Sequence, residues 1–328
     1  LTSSRRLLPN EPRVADRARQ QALTERFLMP ALPALEAFFL NLRAGLDQVL
    51  PARQPVKQGR PYPLGQCLEI TVAAQRQLAA FDPASLPREA AAGHAALLAF
   101  LHHGGDARMV WGDLRGTYFQ NAMLFGTLYV DVANDTVVPE KPKVEIKPLA
   151  AADFRAIEDF AHYARLATSY WRARVLPNHV LPALAPYCPL IVATPGGKVR
   201  VEPTANYMLA LTQSRRFRPS ETALDVAALD PAVFAALAAP LAASGQVVAT
   251  DPAAGREAAL AACRRYRAEA RNDRDRHREA LVPALLAVNE CLSALAPESL
   301  AESLAGQALV TASSAGGPRS GPGRATGS

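Results

Sequence analysis

Residues 108–135, RMVWGDLRGTYFQNAMLFGTLYVDVAND, carry three short apolar-rich runs separated by Gly116 and Gly126, in a chain whose pattern is otherwise Ala-rich and helical. Runs of this length with period-two alternation belong to strands. The stretch therefore reads as an antiparallel meander with strands near 108–114, 117–124 and 128–134. Alternation places Phe119, Asn121 and Met123 on one face of the middle strand, and Tyr118, Gln120, Ala122 and Leu124 on the other. A three-residue loop, Phe125-Gly126-Thr127, pairs Leu124 with Leu128 and sets Asn121 opposite Asp131. A two-residue loop would break that match, so the longer loop is expected.

The segments before the meander read as helices. Residues 13–29 and 31–50 form two amphipathic stretches separated by Pro30, and Leu35, Phe38, Phe39 and Leu42 of the second recur at helical spacing. After the Pro-rich loop PARQPVKQGRPYP, Gly65 breaks the chain and a helix begins at about Gln66. Cys67 thus falls in its first turn, on a stripe with Ile70, Ala74, Leu78 and Phe81. A further helix over about 87–103 ends at Gly104 and Gly105.

Beyond the meander, residues 136–148 contain three prolines and predict an extended linker. A helix is expected from about Asp153, a small hairpin in PLIVATPGGKVRVE, Ala-rich helices from 204, and one long helix around 253–296. The tail 311–328, rich in Gly, Ser and Pro, predicts disorder. The fold class is α+β: mainly helical, with a central meander packed on a buried helix. The expected divisions are a lead-in and Cys-helix/meander core over 1–150, a helical region with a hairpin over 151–310, and the tail.

At 328 residues the chain can bury a large core, and no apolar run reaches the roughly 18 residues of a membrane span. The opening LTSSRRLLPNEPR lacks the apolar core of a secretory signal. Cys67, Cys188, Cys263 and Cys291 are scattered with no CxxC, which reads as reduced thiols. A cytoplasmic location follows as the expectation. Net charge is +6, and residues 264–279 hold seven arginines against four acids. The acids are interleaved at spacings suited to intrahelical pairing, with Tyr266 the one aromatic, so the segment reads as a solvated face and a nucleic-acid partner is not expected.

A cysteine in a helix's first turn has a chemical use, because unpaired N–H groups and the positive end of the helix stabilise a thiolate. Such a nucleophile needs a base and a group to orient it. YPLGQC resembles the loop and helix start that hold the nucleophile in the papain-like and transglutaminase-core families. NAMLFGTLYVDVA resembles their His-Ala-aromatic strand, glycine turn and following strand ending in Asp. The resemblance covers residues 60–135. It implies Cys67 as nucleophile and Asp131 as orienting acid, and it puts Asn121 at the position of the histidine. An amide has no basic nitrogen near neutral pH and cannot take a thiol's proton. Gln66 is an amide that could serve an oxyanion or simply an exposed first-turn residue.

His94, His102, His103, His162, His179 and His277 are the histidines from which a relocated base would come. His102, His103 and Asp106 crowd one bend at a spacing unlike a zinc site, so neither a metal nor a cofactor is expected. Two functions follow. One is a non-catalytic binding or regulatory module with a protein or peptide partner and no membrane. The other is an active cysteine hydrolase or acyltransferase using Cys67 and a histidine from another segment.

Overall fold

The computed structural model describes residues 6–57, 59–79, 83–195, 198–202, 206–273 and 279–295. The disorder expected for 311–328 and the positions of Phe81 and His277 lie outside them.

The chain folds as an α+β protein. Helix α1 (Arg17–Leu23) runs through a π turn and a 3-10 turn into α2 (Leu32–Arg53). By length and hydropathy the helical run Arg17–Arg53 passes the measure of a membrane span. Its Phe38, Phe39, Leu42 and Leu46 are nevertheless buried in a core shared with the sheet. A small ribbon, β1 (Val56–Lys57) and β2 (Arg60–Pro61), leads to α3 (Cys67–Ala79), and α4 (Arg88–His102) follows. Helices α2 and α4 pack so closely that a Cβ on Gly93 would lie 2.0 Å from the Ala34 carbonyl oxygen.

The meander is present as β3 (Ala107–Leu114), β4 (Tyr118–Phe125) and β5 (Leu128–Asp131). Two strands missing from the sequence reading complete a five-stranded sheet. One is β6 (Glu145–Pro148), inside the expected linker, which pairs with β5; the other is β7 (Phe154–Arg155), which pairs with β3. Residues 154–155 are thus strand where helix was expected. Asp153 has a φ of 47°, and α5 (Phe160–Trp171) starts only after Asp159, whose carboxylate accepts the N–H of His162 at 2.7 Å. The hairpin in 189–202 gains a third strand: β8 (Arg174–Pro177), β9 (Leu190–Ala193) and β10 (Val199–Glu202) form one antiparallel sheet.

Helices α6 (Asn206–Ser214), α7 (Arg218–Leu224), α8 (Pro231–Ala243), α9 (Pro252–Ala268) and α10 (Val282–Ser293) pack around this second sheet. The single long helix expected over 253–296 is instead α9 and α10, with Ala270 at a φ of 49° where α9 ends.

The register of β4 and β5 differs from the sequence reading. Phe125 pairs with Leu128 and Met123 with Val130, so the loop is the two residues Gly126-Thr127. Asn121 shares the face of Met123 and Val130, whereas Asp131 shares that of Leu124 and Tyr129. They lie on opposite faces of the sheet. The cause is tertiary: the Gly126 N–H donates to the Asp106 carbonyl at 2.8 Å, and the Thr127 N–H donates to Thr24 Oγ1 at 3.1 Å. Gly126, at a φ of 58°, sits so tightly against Thr24 and Phe100 that a Cβ there would come 2.3 Å from Thr24 Oγ1.

The two faces have separate cores. Met123, Phe125, Leu128, Val130 and Val132 pack with α2, α3 and α4, while Val110, Ala122, Leu124, Tyr129 and Phe154 pack on the other side.

Candidate functional site

Cys67 is placed by its local sequence. Gly65 takes a φ of 72°, its N–H donating to the Thr136 carbonyl at 2.9 Å, and the Gln66 carbonyl accepts the first helical N–H, from Ile70, at 3.0 Å. Cys67 is therefore the first residue inside α3, with Ile70 and Ala74 buried along the same stripe. Gln66 is neither exposed nor committed to the thiol. It is 1% exposed, and its amide donates to the Gln54 carbonyl at 3.0 Å.

The face of β4 that meets α3 carries Asn121. Its Nδ2 donates to Cys67 Sγ at 3.6 Å, and its carbonyl accepts from Thr71 Oγ1 at 3.1 Å, one turn along the same helix. Two contacts from one residue thus fix the helix start against the strand. Trp111 stands opposite Asn121 on β3 and stacks on Phe119 with centroids 5.5 Å apart. Phe119 in turn meets Trp171 at 4.6 Å, so aromatic side chains of β3, β4 and α5 border the amide. Burial raises the Tyr170 hydroxyl pKa, and the charge of Cys67 adds to the rise electrostatically.

The thiol is not activated at the helix start. Burial pushes the Cys67 pKa above its ordinary value; the Asn121 hydrogen bond and the charge of Lys57 pull it down, and the Asp131 charge pushes it up. Desolvation prevails over the contacts that favour the thiolate, so Cys67 is a thiol at neutral pH.

Asp131, mapped as the orienting acid, serves the opposite face. Its carboxylate accepts from Gln120 Nε2 at 2.7 Å, the Tyr129 hydroxyl at 3.0 Å and the Ala133 N–H at 2.8 Å. Burial nevertheless raises its pKa to about 6, against the pull of those donors. The one-residue difference in register accounts for this placement.

Among the described residues no histidine hydrogen-bonds the Cys67 sulfur. His162 Nε2 lies 3.0 Å from Asp113 Oδ2, with its Nδ1 accepting the Glu158 N–H at 3.3 Å, and His179 Nε2 meets the Leu224 carbonyl at 2.9 Å. His94 packs on Phe38. His102 and His103 are exposed at the end of α4, where the imidazole of His103 meets the Ala99 carbonyl at 2.8 Å, and Asp106 pairs with Arg108 at 2.9 Å. No group of metal-ligating side chains occurs among the described residues.

Sequence reasoning missed Thr71 and Tyr170, and the ion pair of Arg43 with Asp135 at 2.7 Å, next to the Thr136 carbonyl that receives the Gly65 N–H. The i+4 spacing of Thr71 from Cys67 is the one signal that could have found the first. Compared with known proteins, the chain matches no family model, no curated protein and no solved structure.

Proposed function

We propose that this chain is a non-catalytic binding or regulatory module for a protein or peptide, built on a papain/transglutaminase-like core whose base position reads Asn121. The observation that carries the reading is the 3.6 Å contact from Asn121 Nδ2 to Cys67 Sγ. The amide occupies the place from which an imidazole would act, and it donates a hydrogen bond where a base would accept a proton. Two further features support it. The thiol pKa is raised, and Asp131 is committed to donors on the other face. What remains is a half-buried thiol hydrogen-bonded to a buried amide, an arrangement without the base that turnover needs.

Restoring the base tests this. Incubated with p-nitrophenyl acetate at neutral pH, the native chain should acylate at Cys67 no faster than an ordinary cysteine. Asn121→His should raise the rate at least about tenfold, because a neighbouring imidazolium stabilises the thiolate. Adducts at each cysteine are resolved by peptide mass, with Cys67→Ser as control. Rapid acylation of Cys67 in the native chain would overturn the reading in favour of an enzyme.

A further inference from the structure

The fold brings together two arginine runs that lie about fifty residues apart: RRFR at 215–218, in the corner between α6 and α7, and RRYR at 264–267, on α9. Arg267 joins them. Its Nη1 donates to the Arg216 carbonyl at 3.2 Å, and its Nη2 pairs with Glu221 at 2.8 Å. Below the arginines, the rings of Phe217 and Tyr266 meet edge-to-face at 5.9 Å, and the Arg271 guanidinium lies 4.0 Å over Tyr266.

Arginines 215, 216, 218, 264, 265, 267 and 271 thus gather around the carboxylates of Glu221 and Glu269, with Arg215 Nη1 donating to the Glu158 carbonyl at 2.9 Å. The acids do not balance them. Glu221 is shared by Arg264 and Arg267, and Glu269 by Arg265 and Arg271. Arg215, Arg216, Arg218, Arg264 and Arg265 are exposed. Neither Arg216 nor Arg218 has a side-chain partner among the described residues.

We propose that this surface binds duplex nucleic acid through its phosphate backbone, without reading sequence. Guanidinium forks bind phosphate oxygens bidentately, and a stripe of them is the electrostatic footprint of backbone recognition. The buried state of Phe217 (0% exposed) and Tyr266 (5%) decides among polyanions. No aromatic among the described residues of the patch is free to stack on unpaired bases, which disfavours a single strand. No apolar side chain there is free to enter a bilayer, which disfavours a lipid surface. Residues 264–279 already hold seven arginines against four acids. The α6–α7 corner adds Arg215, Arg216 and Arg218 against Glu221, so the excess grows by an apposition that is tertiary.

The test is fluorescence anisotropy of a labelled mixed-sequence DNA duplex titrated with the full chain between about 50 and 200 mM salt. At about −0.9 per neutralised phosphate, five exposed arginines predict a slope of about −4 to −5 for log Kobs against log salt. Arg216→Ala and Arg218→Ala should each weaken binding to unrelated duplexes equally and reduce that slope by about 1. Arg88→Ala, on an exposed arginine of α4, should change neither. Parallel titrations use phosphatidylserine vesicles and polyglutamate. Absence of duplex binding would overturn the proposal. So would binding confined to vesicles or to polyglutamate, or a duplex slope indifferent to Arg216 and Arg218.

Discussion

Arg43→Ala should destabilise the protein by about 3–5 kcal/mol, the usual cost of removing one partner of a buried ion pair. The Arg43 side chain is fully buried. Nη1 donates to Asp135 Oδ1 at 2.7 Å and to the Val132 carbonyl at 2.8 Å, Nη2 to Asp135 Oδ2 at 2.9 Å, and Nε to Asp47 Oδ1 at 2.8 Å. Burial works against its charge, but the Asp135 and Asp47 contacts outweigh it and raise the guanidinium pKa. Truncation leaves Asp135, 4% exposed, with an uncompensated charge and frees the segment that follows β5. That segment also receives the Gly65 N–H through the Thr136 carbonyl, so the loop presenting Cys67 loosens with it. In a chain of this size the melting temperature should fall by about 10 °C. Adding Asp135→Asn to Arg43→Ala should recover part of the loss. Urea midpoints measure both effects, and a loss below about 1 kcal/mol would mean the pair contributes no more than a surface contact.

The second large effect is a pH dependence carried by Asp131. Its folded pKa of about 6 lies above the unfolded aspartate value of about 3.9. A carboxyl raised in this way binds its proton more tightly when folded. Its contribution to stability is fully present below about pH 4 and is lost as pH rises through about 6. At about 1.4 kcal/mol per pH unit, the difference across the window is about 3 kcal/mol. Asp131→Asn should flatten that part of the stability profile. Gln120 Oε1 has no hydrogen-bond partner, and a flip of its amide would let it accept from the introduced amide. Glu202 is also raised by burial, so the informative quantity is native minus variant, from urea midpoints at half-unit steps across the window. A difference independent of pH would show that Asp131 titrates normally.

How far the sequence was legible follows from the range of each interaction. The meander strands and the start of α3 were readable because alternation, Gly65, Gly116 and Gly126 are local signals. Asn121 and Cys67 could be brought to one site on those grounds. The register could not be read, because the Gly126-Thr127 turn is held by Thr24, Phe100 and Asp106 from other elements. Asp131 was consequently assigned to the wrong face. Strands β6, β7 and β8 are short and owe their state to pairing partners, not to their own pattern; EIKP and FR carry almost no alternation. The start of α5 was available in principle, since Asp159 three residues before His162 is an N-cap spacing. Arg43 with Asp135, 92 residues apart, and RRFR with RRYR are pairings that only the fold creates.

Cys67 should rest as an unactivated thiol, because burial raises its pKa and no imidazole among the described residues hydrogen-bonds its sulfur. The direct measurement is the rate of iodoacetamide labelling of Cys67 in the native chain against pH, with each cysteine quantified by peptide mass. Labelling should be slow at neutral pH and rise only above the ordinary thiol range, because burial raises the Cys67 pKa. Labelling already at its plateau by neutral pH, and lost on replacing His102 or His103, would contradict it and establish a thiolate with a relocated base.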